Sequence, residues 1–311
     1  MTTALVLGAN GQDGSYLCER LVAAGRSVVG LGRQPAFRHP LPRGAFRYEA
    51  VDLADGAAVD RLLEWNQPDE IYHLAAIHGH AGFALEERFD AACDVNVRSL
   101  HRVLEHLRQR RHGRLFYASS AKTFGRLSGR VTLARPRAGR CLYALTKNMA
   151  GGLIEHYRQH HRVEATVAIM FNHESPRRPP QFFIPTVCGL VAAALRDGGV
   201  RGTLATLSFG CDWSSARDFM ELAVTAMDRG ETGELLFASG ETRDARPFVQ
   251  RLFARHGLDA DDHVSTADDV PYDRFEVDIS DTVRRLGYAP RETIDDVCDE
   301  IVALVRPAAA A

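Results

Sequence analysis

The chain has 311 residues, 45% hydrophobic and 25% charged, an ordinary globular composition with apolar material enough for one large domain or two modest ones. A formal net charge of -2 supplies no overall basic field, which excludes a nucleic-acid coating protein and leaves any anionic ligand to be met by local groups. Cys18, Cys93, Cys141, Cys188, Cys211 and Cys298 are scattered without a C-x-x-C pair, which fits reduced thiols in a cytoplasmic protein better than a disulfide scaffold.

The opening "MTTALVLGANGQDG" has no charged n-region, no long apolar region and no small-residue cleavage site, so no signal peptide is expected. No apolar run approaches the roughly 18 residues of a membrane span. Short β-type runs then recur: "ALVL" at 4–7, "SVVGL" at 27–31, "FRYEAV" at 46–51, "EIYHL" at 70–74, "RLFYAS" at 114–119 and "ATVAIM" at 165–170. Helix-like segments lie between them, the longest over 85–111. This alternation predicts an α/β fold, a doubly wound parallel sheet of the Rossmann type. After about residue 171 the rhythm breaks into "ESPRRPPQFFIP" and "RDGGVRGTLATLSFG". The expected division is a dinucleotide-binding domain over 1–171 and a smaller substrate-binding lobe over 172–311, with segments such as 215–228 able to return to the first domain.

"GANGQDG" follows the first strand and opens a helix, the context in which glycines let the backbone approach a pyrophosphate and helix N–H groups meet its charge. Gly8, Asn10, Gly11, Gln12, Asp13 and Gly14 are therefore candidate cofactor contacts. At the end of the second strand stands Arg33, where an enzyme preferring NAD carries Asp or Glu; an arginine suits a 2′-phosphate and favours NADP. The bland alternative is a solvent-facing arginine. Asp52 and Leu53 after the third strand are expected near the adenine, and Leu74, Ala75 and Ala76 after the fourth near the pyrophosphate and ribose.

"YALTK" puts Tyr143 and Lys147 one helical turn apart, so both side chains reach one place. A nearby ammonium and a positive nicotinamide ring favour phenolate over a phenol of pKa about 10, and the pair can take a proton from a sugar hydroxyl. His73, His78 and His80 of "HLAAIHGH" invite a metal reading, but no carboxylate or cysteine completes a ligand set with diagnostic spacing. No metal is expected; His78 and His80 are candidate substrate contacts, or plain loop residues.

With "PDEIYHLAA", "DVNVRSL", "YALTK", "FNHESPRR", "CDWSSARDF" and "RFEVD", the chain resembles the extended short-chain dehydrogenase/reductase family, and within it most closely the GDP-mannose 4,6-dehydratases. The resemblance covers nearly the whole length. It implies that Asn172 meets the diphosphate or sugar of a nucleotide sugar, with Glu174 and Arg177 shaping the same wall, unless those two only brace the loop through an ion pair. Arg246 and Arg274 fit late arginine positions that supply charge to the diphosphate. Helices around 85–111 and 143–161 would pair with a second copy, giving a homodimer.

The chain also departs from the family. After the fifth strand the family has Thr, Ser and a Glu that handles protons at C5 and C6 of the hexose; here stand Ser120, Ala121 and Lys122. Cys211 replaces the usual arginine before Asp-Trp, and "FIPTVCG" lacks the expected basic residues, so the nucleotide pocket is altered as well. Ser120 keeps a hydroxyl, while Lys122 could serve as the missing base only if burial held it neutral against its ordinary pKa of about 10.4. Three functions follow. The leading one is NADP(H)-dependent oxidation, reduction or epimerisation at C4 of a nucleotide-linked, GDP-type hexose without loss of water. The second is a 4,6-dehydratase using Lys122. The third is a non-catalytic dinucleotide sensor, which would have no need of Tyr143 and Lys147.

Overall fold

A computed structural model describes residues 1–78, 85–198, 201–268, 270–288 and 291–305. In chain order it contains β1 (Thr3–Leu7), α1 (Gln12–Ala23), β2 (Ser27–Gly32), β3 (Phe46–Ala50), α2 (Gly56–Asn66), β4 (Glu70–His73), α3 (Phe89–Cys93), α4 (Ser99–Arg110), β5 (Arg114–Ser120), β6 (Gly129–Val131) and α5 (Leu142–His161). There follow β7 (Glu164–Met170), β8 (Asn172–Glu174), α6 (Phe183–Asp197), β9 (Gly202–Thr206), β10 (Gly210–Ser215), α7 (Ala216–Asp228), β11 (Gly233–Phe237), β12 (Thr242–Asp244), α8 (Ala245–Arg255), α9 (Ala260–His263), β13 (Val264–Asp268), β14 (Phe275–Val277), α10 (Ser280–Leu286) and α11 (Ile294–Val305).

Seven strands form one parallel sheet in the order β11-β7-β5-β4-β1-β2-β3. Six of them are the runs the sequence marks, and β11 adds a seventh from beyond residue 172. The order reverses between β1 and β4, so a crevice opens at the carboxyl ends of those two strands. β1 shows why the strands read as unbroken apolar runs: Leu5, Val6 and Leu7 are all buried, because helices cover both faces of a parallel sheet. Each such side chain contributes about 1.5–3 kcal/mol relative to exposure.

One face carries a core built with Val103, Leu104, Ile154 and Tyr157 of α4 and α5; the other carries Leu17 and Leu21 of α1 packed with Phe219 and Met220 of α7. The Arg20–Glu221 ion pair joins α1 and α7 at the surface. A third core, around Trp213, Phe248, Val191 and Ile301, belongs to the small lobe made by α6, α8 and α11, whose three-stranded sheet runs β12-β10-β8. No helix among the described residues is long and apolar enough to cross a membrane.

Candidate active site

The glycine turn after β1 is dictated by contact. Gly8 has φ of 94°, and a Cβ there would stand 2.8 Å from the amide nitrogen of Ala75; a Cβ on Gly14 would stand 2.8 Å from Cα of Ala9 and overlap the carbonyl oxygen of Gly8. Only glycine fits either place. Gly11 precedes α1 without any side-chain cap, so the first-turn amides are left facing the crevice. Amides of Gly8 and Ala9 bond Leu31 O, and those of Leu74 and Ala75 bond Leu7 O, which seats the loops after β1, β2 and β4 side by side. Ala75 and Ala76 are half-buried at that seam.

The polar side chains of the turn serve the protein itself. Asn10 donates to Ala36 O at 2.9 Å and Tyr48 OH at 3.1 Å, and accepts from the amide of Arg38 at 3.0 Å, fixing the loop after β2. Gln12 accepts from Ser175 Oγ at 2.9 Å and donates to His173 O at 3.2 Å. For Asn10, Gln12 and Asp13 the side chains expected to face a cofactor are thus committed elsewhere, because the loop after β2 and strand β8 both close on the turn. Arg33 is exposed at the end of β2, Asp52 is exposed and accepts from the amide of Ala54 at 3.0 Å, and Leu53 is buried.

Ser120, Tyr143 and Lys147 come together at the carboxyl end of β5. The Tyr143 hydroxyl bonds Ser120, and burial pushes the phenol up to about 12 although that bond pulls the other way. Lys147 is 2% exposed; its Nζ donates to Ala118 O at 2.7 Å and lies 4.5 Å from the ring centre of Tyr117 and 5.9 Å from that of Tyr143. Burial brings its ammonium down to about 7. Desolvation thus acts against charge on both groups, raising the phenol and lowering the ammonium, so phenolate is not the state that burial alone selects.

The loop behind these groups is held by Asn96, in a π-helical turn over Asp94–Arg98. Its amide brackets Ile77, accepting from the amide at 2.8 Å and donating to the carbonyl at 2.9 Å, and it also donates to Thr146 at 3.0 Å. An asparagine inside "DVNVRSL" was the available signal, since a buried amide in a helix must have partners. The ring of His78 lies 6.1 Å from Tyr143 and 5.8 Å from Phe182. His80 falls outside the described residues. His73 is a core histidine: buried, 2.8 Å from Ser99 Oγ, and pushed down to about 3 chiefly by burial.

"NHESPRR" runs from a short strand into a turn and divides between two sides. His173, Ser175 and Arg177 grip α1. Nε2 of His173 stands 3.0 Å from each Asp13 oxygen and Nδ1 2.8 Å from Phe171 O. Burial opposes charge on both members, yet their attraction prevails, raising His173 and lowering Asp13. Arg177 donates to Ser15 Oγ at 2.9 Å, pairs with Glu19, and lies 3.9 Å over the ring of Tyr16. Of the two readings of Arg177 the structure shows a brace, with one change of partner: it grips α1 through Ser15 and Glu19 and does not pair with Glu174.

The opposite side carries Asn172, exposed, and Glu174, buried. Arg178 belongs with them. Its guanidinium lies 3.8 Å over Phe182 and 3.5 Å from Glu174 Oε2, and its charge lowers both the Tyr143 phenol and the Asp13 carboxyl. Of the two arginines, Arg178 is the one whose charge acts on Tyr143.

Lys122 lies in a 3-10 turn, Ala121–Phe124, with its amide donating to Ser120 Oγ at 3.2 Å. Its side chain is exposed, so the burial that the base reading requires is absent. Its charge reaches the thiol of Cys211, which burial raises most and which Asp212 and Glu174 raise further. Arg274 is paired with Asp244, which also accepts from Tyr272 OH at 2.6 Å; its charge is committed at the rim, beside an open cavity of about 380 Å³ lined by Val270, Pro271, Tyr272 and Arg274. Arg246 is half-buried in the first turn of α8. A cavity of about 1090 Å³ lies at the amino ends of the strands, among Arg26, His112 and Arg162, remote from Tyr143 and taking no part in this site.

The family model described as GDP-mannose 4,6 dehydratase matches residues 5–301. A GDP-mannose 4,6-dehydratase of Sordaria araneosa is 32% identical over 263 residues, covering 81% of this chain and 47% of that protein, so the chain spans about half of its length. GDP-mannose 4,6 dehydratase 1 of Arabidopsis thaliana is 29% identical over 314 residues, covering 93% of this chain and 85% of the relative. Among solved structures, a dTDP-glucose 4,6-dehydratase of Bacillus anthracis in complex with NAD has a TM-score of 0.81 at 17% identity, over 97% of this chain and 96% of that one.

Proposed function

The chain belongs to the GDP-mannose 4,6-dehydratase family, and from that premise we propose that it moves hydride at C4 of a GDP-linked hexose, using NADP(H), without expelling water. It is an enzyme of the nucleotide-sugar dehydratase/epimerase type. One observation carries the finer reading: Ser120, Tyr143 and Lys147 are assembled beside the glycine turn, while the position that should hold the eliminating carboxylate is an exposed lysine.

The crevice fits a dinucleotide. Gly8 and Gly14 leave a cradle that a Cβ would fill, and the uncapped first turn of α1 offers N–H groups to its diphosphate. Exposed Arg33, with no acid at that strand end, suits a 2′-phosphate. A dinucleotide held there would supply the hydride acceptor or donor for C4. The protein supplies the proton chemistry: Tyr143 exchanges the proton of the C4 hydroxyl as the carbon passes between alcohol and ketone, Ser120 holds the phenol by its hydrogen bond, and Lys147 adds positive charge behind the ring. Asn172 and His78 border the space for the sugar.

Self-association fits the same reading. On α5 the exposed faces of Leu145 (44%) and Met149 (55%) stand one turn apart, a stripe that a second copy would cover.

Purified protein incubated with GDP-, UDP-, CDP- and dTDP-hexoses, with and without NADPH, tests the reading by product mass. Gain of two hydrogens supports C4 reduction. Loss of one water supports the second reading, a 4,6-dehydratase, which family membership favours and which would require Lys122 or another group as base at C5.

A further inference from the structure

Glu174 is a carboxylate with no settled partner. It is 2% exposed, and its Oε2 and the Nε of Arg178 are both buried without a hydrogen bond although 3.5 Å apart. A guanidinium and carboxylate in final geometry share short, often paired, hydrogen bonds. These two share charge alone. The other support of Arg178 is the face of Phe182, which holds the cation without satisfying its N–H groups. Meanwhile the charge of Arg178 lowers both Tyr143 and Asp13, so it stands within electrostatic reach of the tyrosine and of the first turn of α1.

We propose that Glu174 and Arg178 form a proton-coupled latch: a diphosphate ester entering the cleft draws Arg178 onto its oxygens, and Glu174, left buried without a counter-charge, takes up one proton from solvent. The proposal rests on reading the cleft as a nucleotide site. A phosphate offers Arg178 the paired hydrogen bonds that Glu174 does not, and a buried carboxylate that loses its cation neutralises itself rather than remain charged. The groups acting on Glu174 are few. Burial raises its carboxyl to about 7, Arg178 and His173 lower it, and Asp13 raises it. Across from it Cys211 of β10 and Cys298 of α11, beside Cys188 of α6, feel its charge, with Lys122 acting on Cys211 from the far side. His173 is raised by its bond to Asp13 against burial, and departure of Arg178 removes one of the influences that lower it.

The test is calorimetric titration at about pH 8, where a carboxyl of pKa about 7 is mostly ionised, in buffers of different ionisation enthalpy. NADP+ is the ligand in one arm and GDP-mannose in the other. Wild type should take up close to one proton per site in the arm whose diphosphate moves Arg178. The uptake should vanish in Glu174→Gln, and also in Arg178→Met, where Glu174 is protonated before ligand arrives; the second variant keeps the test open if the first fails to fold. Any proton exchange by the ligand's own phosphate persists in both variants and is subtracted. Binding heat without uptake in either arm, or uptake unchanged in a folded variant, overturns the latch. Absence of binding in both arms overturns the nucleotide-site reading, and the latch with it.

Discussion

Replacing Asp13 by Asn removes the charge that holds β8 against α1. Nε2 of His173 stands 3.0 Å from both carboxylate oxygens, and at an effective dielectric of about 20 unit charges at that distance attract by roughly 5 kcal/mol. Desolvation cancels part of this, and truncating one partner of a buried pair costs about 3–5 kcal/mol. Asn keeps one acceptor, so about 3 kcal/mol is expected at pH 6. The pH dependence is more diagnostic than the size. His173 is raised in the folded protein, against burial, so its contribution is complete below about pH 6.5 and is lost as pH rises through its folded pKa. Asp13 is lowered, so its contribution is present above about pH 3.9 and is lost as pH falls through its folded pKa. In the Asn variant burial and Arg178 depress His173, and its contribution between about pH 6 and 7 changes sign: stability rises with pH instead of falling. Urea unfolding at several pH values reads both effects. A loss under about 1 kcal/mol with the wild-type pH slope would refute the reasoning.

Arg33→Ala should weaken NADP(H) binding roughly tenfold while leaving NAD(H) unchanged, measured calorimetrically, since one exposed charge-assisted contact is lost; equal binding of both cofactors by wild type removes Arg33 from the argument. Tyr143→Phe should bind cofactor normally yet show no reduced-nicotinamide absorbance change in a single turnover with a GDP-hexose, and retained turnover would displace the phenol as the proton carrier. Met149→Glu should convert a dimer to a monomer by light scattering at micromolar concentration, because a charge enters the centre of the α5 stripe; a wild-type monomer contradicts the pairing. Wild type in deuterated water should incorporate no deuterium at C5, and incorporation that is lost in Lys122→Ala would establish the dehydratase reading instead.

The sheet was legible because its cause is local: strand-length apolar runs alternating with amphipathic segments leave little but a parallel sheet covered on both faces. The seventh strand was missed because "GELLF" lies in the second half of the chain, where proline and glycine interrupt the rhythm, and only its pairing with β7 identifies it. The meeting of Ser120, Tyr143 and Lys147 could be anticipated, since helical spacing sets two of them and the end of β5 the third. Burial was not legible. Lys147 is covered and Lys122 is exposed, although both are single lysines among small residues in the sequence.

The separation of Arg177 from Arg178 has a physical cause. Alternation of side chains holds over β8, where Asn172 and Glu174 face one way and His173 the other. The chain then turns, the amide of Arg178 donating to Ser175 O at 3.0 Å. That turn sends Arg177 to Ser15 and Glu19 of α1 and brings Arg178 back to Glu174 and Phe182. The two sides do different work for one reason. α1 presents Gln12, Asp13, Ser15 and Glu19 over its first two turns, acceptors that take up Ser175, His173 and Arg177, so a donor for a ligand is to be sought on the other side.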